Sequence, residues 1–122
     1  MNKWTVDYYK AKNGDCPIEE FVNSSTESNQ TKILGWFGKL EEEGPNLPRP
    51  YSDLLRDGIH ELRIRLSGNQ TRVLYFFCYQ KHIILTHAFN KNTQKVPEAE
   101  IEKALSIRKE FLGRIKKEDL EV

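Results

Sequence analysis

The chain has 122 residues, 38% of them hydrophobic and 30% charged, with 19 Lys and Arg against 18 Asp and Glu. That length suits a single domain over residues 1–122, able to bury roughly two-thirds of its unfolded surface. No apolar run is long enough to span a membrane and the opening MNKWTVDYYK lacks a signal-peptide core. The expected setting is therefore the cytoplasm, with Cys16 and Cys78 as free, reduced thiols.

Trp4 to Tyr9 reads as a short strand, closed by the turn Lys12-Asn13-Gly14-Asp15. Pro17 suits the first turn of a short helix through Val22, and Ser24 with Glu27 has capping-box spacing for a second. On that second helix Ile33, Leu34, Phe37 and Leu40 recur as one apolar face, and Gly35 and Gly38 leave room for a close neighbour. Gly44-Pro45 ends it, and Pro45, Pro48 and Pro50 make the next segment an extended connector.

Ile59 to Leu66 alternates, with Leu62, Ile64 and Leu66 on one face and Glu61, Arg63 and Arg65 on the other. Ser67-Gly68-Asn69-Gln70 is a hairpin turn into Arg72 to Tyr79, a run apolar on both faces and hence a central strand covered on both sides. Gln80-Lys81 turns the chain into Ile83 to Phe89, and Lys91 to Val96 is a loop. Pro97 then opens a last helix with Glu98 and Glu100 in its first turn. The stripe Ile101, Ala104, Leu105, Phe111, Leu112 and Ile115, with Arg108 on it, is expected to cover part of the core, and the polar tail after Lys116 to fray. The whole predicts an α+β fold: a twisted antiparallel sheet, two N-terminal helices packed on one face, and a C-terminal helix.

Charge is distributed unevenly along this scaffold. Between Arg56 and Lys95 the cations Arg56, Arg63, Arg65, Arg72, Lys81, Lys91 and Lys95 meet only Asp57 and Glu61, which leaves the rest of the chain acidic. A cationic sheet inside a near-neutral protein points to a localised anion site. Arg63 and Arg65 stand side by side on the face away from the first helices, an arrangement that an anion would stabilise. Arg72 opens the most apolar strand and needs a partner there, either Glu61 across the hairpin or a phosphate. Phe89, followed by Lys91, Gln94 and Lys95, joins an aromatic ring to amides and cations, as single-stranded RNA sites do. His87 lies in an apolar strand, either as a core residue or as an acid/base group, whereas His60 and His82 are expected at the surface. The histidine spacing suits no metal, and no nucleotide-cofactor motif is present, so neither metal nor cofactor is expected.

Gly58-Ile59-His60-Glu61-Leu62-Arg63-Ile64-Arg65, Thr71-Arg72-Val73-Leu74-Tyr75-Phe76-Phe77 and His87-Ala88-Phe89-Asn90-Lys91-Asn92-Thr93-Gln94-Lys95-Val96-Pro97 resemble the phage-derived, HigB-like branch of the RelE/ParE toxin superfamily. Gly44-Pro45-Asn46-Leu47-Pro48-Arg49-Pro50 and the closing helix extend the likeness over nearly the whole chain. Asn92 and Val96 depart from it, where the family commonly has a second lysine and a threonine.

The resemblance implies a RelE-like toxin fold and the toxin of a type II toxin–antitoxin pair, which cleaves messenger RNA on the ribosome and is bound by a helix-turn-helix antitoxin. It implies RNA contacts from Arg63, Arg65, Arg72, Lys91 and Lys95. The expected chemistry is metal-free attack of a ribose 2′-hydroxyl on the adjacent phosphate. Arg72 would hold the developing charge, Lys91 and Lys95 the flanking phosphates, Arg63 and Arg65 would orient the strand or dock on ribosomal RNA, Phe89 would stack a base, Gln94 would bind RNA, and His87 would be the acid or base. Two other readings stay open: a non-enzymatic, ParE-like inhibitor of DNA gyrase, and an RNA- or ribosome-binding module without cleavage.

Overall fold

A computed structural model describes residues 3–121. In chain order the elements are β1 (Thr5–Tyr8), α1 (Pro17–Asn23), α2 (Glu27–Glu43), a 3-10 turn (Gly44–Asn46), β2 (Ser52–Arg56), β3 (Ile59–Leu66), β4 (Asn69–Cys78), β5 (His82–Asn90), α3 (Glu98–Arg114) and α4 (Lys117–Leu120). The five strands form one sheet in the order β1-β5-β4-β3-β2. The α+β class holds, but the sheet is mixed, because β1 lies parallel to β5 while the other pairs are antiparallel.

The expected connector contains β2, which pairs Ser52 with Leu62 and Asp53 with Glu61. Prolines stop at Pro50, so the backbone donors of Ser52 to Arg56 are free to join the ladder. α2 is capped by Thr26, whose hydroxyl accepts from the Asn29 amide at 3.2 Å, while Ser24 closes α1. The capping-box expectation was thus displaced by two residues.

Alternation gives the sheet two apolar faces, and each gathers its own core. Leu62, Ile64 and Leu66 of β3 join Val73, Tyr75, Ile83 and Leu85 beneath Ile18 of α1 and Ile33, Phe37 and Leu40 of α2. Burial of each such side chain is worth about 1.5–3 kcal/mol. Leu34 is 49% exposed and does not belong to the buried face, and a side chain at Gly35 or Gly38 would meet nothing within 4 Å. Ile59, Leu74, Phe76 and Ile84 face the other way and pack on Ala104 and Phe111 of α3. Arg108, anomalous in the apolar stripe, donates to the Asp57 carbonyl and clips α3 to the β2–β3 turn. The tail after Lys116 is not frayed: α4 forms there, and Leu120 packs on the second core.

One bulge rephases β5. Leu74 pairs with His87 but Tyr75 pairs with Leu85, so Thr86 has no partner across the ladder. Ile84 before the bulge and Phe89 after it both reach the α3 side. The extra residue reverses the alternation between them. The expected surface placement of two histidines fails. His82 is 2% exposed, with Nδ1 at 2.9 Å from Asp7, and His60 is half-buried against the rings of Tyr75 and Phe77.

Gly44 ends α2 at φ 53°, and a Cβ there would overlap the Trp4 indole. Only glycine combines that backbone with so close a ring. The outer edge of β1 is closed by α2, whose Glu41 carboxylate accepts from the Val6 amide at 3.0 Å. Among the described residues no helix is long and apolar enough to cross a membrane.

Candidate nucleic-acid interface

Register brings the cations together. Arg63 of β3 lies opposite Arg72 of β4, and Arg65 lies opposite Gln70. Two guanidiniums facing each other across a ladder repel unless a negative group intervenes. Glu61, two residues before Arg63 on the same face, supplies it: Oε2 is 3.0 Å from Arg63 Nη2 and Oε1 is 3.0 Å from Arg72 Nε. The carboxylate alternative for Arg72 therefore describes the resting protein. That second contact is out of line, since neither Glu61 Oε1 nor Arg72 Nε makes a directed hydrogen bond. The two groups satisfy each other by charge but not by geometry.

Arg72 is 7% exposed. Its Nη1 donates to the Thr71 carbonyl at 3.1 Å and its Nη2 to the Gln70 side chain at 3.3 Å. Burial lowers its pKa, an effect opposed by Glu61 and reinforced by Arg63. A guanidinium nevertheless keeps its proton, so a fixed charge sits in a dry place. Arg63 is also 3.4 Å from Asp53, a carboxylate it shares with Arg49.

The loop after β5 closes on this pair. The Lys91 amide donates to the Gln70 carbonyl at 2.7 Å, and its ammonium donates to the Gln94 carbonyl at 2.8 Å. Burial lowers the Lys91 pKa first, and the Arg72 charge lowers it further, against a smaller pull from Glu61. Arg56 is differently employed, because Asp57, Glu98 and Glu102 all bind it.

Three adjoining open cavities surround the cluster. The first, about 460 Å³, is lined by Lys32, Trp36, Pro50, Tyr51, Arg63, Ile64, Arg65, Gln70 and Arg72. The second, about 520 Å³, has Gln70, Lys91, Asn92, Thr93 and Gln94. The third, about 310 Å³, shares Arg63, Lys91 and Gln94 and adds Glu61 and Lys95. Shared walls make them one groove.

Six of the eight sequence-derived candidates, Arg63, Arg65, Arg72, Lys91, Gln94 and Lys95, line this groove. His87 and Phe89 line none of its three cavities. His87 is 2% exposed, with Nδ1 at 3.0 Å from the Thr86 hydroxyl and Nε2 at 3.1 Å from Glu100 of α3. Burial pushes its pKa below the ordinary value, more strongly than Glu100 raises it. Phe89 stacks on His87 at 5.7 Å and packs against the second core. Both rings serve to seat α3 on the sheet.

Sequence reasoning passed over Lys32, Trp36, Tyr51 and Gln70. The helical wheel held a signal for two of them. Trp36 sits beside the core residue Phe37 but off its stripe, four residues after Lys32. Tyr51 follows Pro50 without any periodic pattern to mark it. Among the described residues no cluster of His, Cys, Asp and Glu could hold a metal ion.

A family model described as phage derived protein Gp49-like matches residues 20–109. That span contains every groove residue named above. No curated protein matches the chain.

Proposed function

Because the chain belongs to the family of phage-derived, Gp49-like proteins, we propose that it is the toxin of a type II toxin–antitoxin pair and a metal-independent endoribonuclease acting on messenger RNA at the ribosome. The observation that carries this reading is the convergence of Arg63, Arg65, Arg72, Lys91 and Lys95 on one groove from two strands and a loop. Among the described residues Glu61 is the one carboxylate held between two of these cations. The surplus charge suits a chain of phosphates.

In this reading the ribose 2′-hydroxyl gives up its proton to solvent water as its oxygen attacks the adjacent phosphorus. The bond to the 5′-oxygen breaks, leaving a 2′,3′-cyclic phosphate and a 5′-hydroxyl. Arg72 faces the phosphorane, where a desolvated, preorganised cation acts most strongly on developing charge. Lys91, acidified by burial and by Arg72, protonates the departing 5′-oxygen. Lys95 and Arg65, both exposed, hold the flanking phosphates. His87 is assigned no proton transfer, since Thr86 and Glu100 occupy both ring nitrogens. The partner that restrains the toxin is a helix-turn-helix antitoxin, and the setting is the cytoplasm.

Loss of an Arg72 contact to the transition state costs about 100- to 1000-fold in cleavage, or about 3–4 kcal/mol. The test maps messenger RNA ends after brief induction of the wild type, Arg72→Ala and Arg72→Lys. Thermal unfolding verifies that each variant folds. New 5′-hydroxyl ends in the wild type that vanish in folded Arg72→Ala are expected. Intact messenger RNA with a DNA-damage response would replace this reading with gyrase inhibition. RNA binding with no cleavage on ribosomes would replace it with a binding module, a reading favoured by the absence of any histidine from the lining of the three cavities.

A further inference from the structure

One end of the groove is aromatic, and the chemistry proposed above makes no use of it. Trp36 on α2 and Tyr51, just before β2, lie with ring centroids 5.0 Å apart at an interplanar angle of 41°. Tyr51 is 43% exposed, and Trp36 is half-buried where it meets the first core. They wall the same cavity as Lys32, Arg63, Arg65 and Arg72, and no carboxylate is among its lining residues. Large rings left at the surface cost solvation free energy that a folded protein ordinarily recovers by turning them inward. Here they are held outward beside a row of cations.

We propose that Trp36 and Tyr51 form a stacking subsite for one base of a single-stranded RNA, next to the nucleotide whose phosphate Arg72 holds, with Lys32 and Arg65 on the intervening backbone. The proposal rests on the RNA reading of the groove. The arrangement combines the two elements of single-strand recognition, a π-surface for the base and cations spaced for the phosphates. At 5.0 Å the two rings already touch, so the base stacks on the outer surface of the pair and not between them. Stacking accepts any base, and purines, with the larger surface, hold more tightly. An apolar peptide would leave the exposed cations Lys32 and Arg65 facing no counter-charge, which is why a nucleic acid fits better than a hydrophobic protein segment.

The test uses a short, fluorescently labelled single-stranded RNA with a 2′-O-methyl group at the scissile position, so that binding is measured without cleavage. Affinity is followed by anisotropy across a salt series for the wild type, Trp36→Ala, Trp36→Phe, Tyr51→Ala and Arg65→Ala. Loss of stacking predicts a drop of about 5- to 150-fold for Trp36→Ala with an unchanged salt slope, and partial recovery in Trp36→Phe. Arg65→Ala predicts a slope shallower by about one. An abasic position at the stacked nucleotide should weaken the wild type and leave Trp36→Ala unaffected, while abasic positions elsewhere weaken both alike. Wild-type affinity in Trp36→Ala, or a loss that does not depend on which nucleotide lacks its base, would overturn the subsite. Failure of the nuclease reading is separately visible, as an unmodified RNA left intact on ribosomes by a protein that still shows the stacking signature.

Discussion

Glu61→Gln keeps the shape of the side chain and removes the charge that two guanidiniums share. Glu61 is 3% exposed and Arg72 7%, and both carboxylate oxygens stand 3.0 Å from their partners. At that separation and an effective dielectric near 20, each contact carries about 5 kcal/mol of Coulomb attraction, most of it offset by the cost of desolvating the ions. Removing one partner from a buried pair costs about 3–5 kcal/mol. The glutamine carbonyl still accepts from one guanidinium, which points to about 3 kcal/mol, or about 10–15 °C in Tm for a domain of this size. The groove meanwhile gains one unit of positive charge. Single-stranded RNA should therefore bind Glu61→Gln more tightly than the wild type at low salt, with a salt slope steeper by about one. RNA should also raise the Tm of the variant by more than it raises that of the wild type. Thermal unfolding with and without RNA, combined with anisotropy across salt, measures all four quantities. A wild-type Tm in Glu61→Gln, or an RNA affinity and slope that do not move, would refute the placement of a shared internal carboxylate at the heart of an RNA groove.

Gly44→Ala should lose about 2–5 kcal/mol, from a left-handed backbone that alanine disfavours and from overlap with the Trp4 ring; denaturant unfolding checks it, and a loss under 1 kcal/mol would contradict the close approach. Stability should also fall as pH drops. Burial holds the folded pKa of His87, and likewise of His60, below the ordinary value of 6.5, so the unfolded chain binds more protons in that range. Their contribution is complete above about pH 6.5 and is lost on acidification towards the folded values, so Tm should decline from about pH 7 to about pH 5 and decline less in His87→Gln. A flat profile over that window would contradict the burial of these rings.

Much of the fold was legible because local chemistry and tertiary packing agree in it. The alternation of Leu62, Ile64 and Leu66 with Glu61, Arg63 and Arg65 survives in β3, and Arg72 to Cys78 lies within the central strand β4, with Tyr79 already in the turn that follows. What escaped was decided by partners distant in sequence. Nothing in Thr5–Tyr8 says that its neighbour is β5, or that the pairing is parallel. Ser52–Arg56 becomes a strand because β3 offers it a free edge, not because of its own pattern. The groove divides the same way. Its cations were visible as an imbalance of charge, whereas Trp36 and Tyr51 became neighbours only when α2 and the start of β2 were laid together.

The unpaired Thr86 has a further consequence. Side chains along a strand obey a two-beat count, and one added beat exchanges odd for even from that point onward. By the unbroken count His87 and Phe89 would fall in with Ile83 and Leu85, beneath α1 and α2. Instead they lie under α3, and the loop that begins at Lys91 leaves the sheet from there. Removing that single threonine would take out the added beat and leave His87 opposite Leu74 and Leu85 opposite Tyr75, so the lysine would keep its present surface. In this protein, deletion of residue 86 should therefore leave the loop on the same side of the sheet, at the cost of the threonine hydroxyl's bonds to the Leu74 carbonyl and the His87 ring.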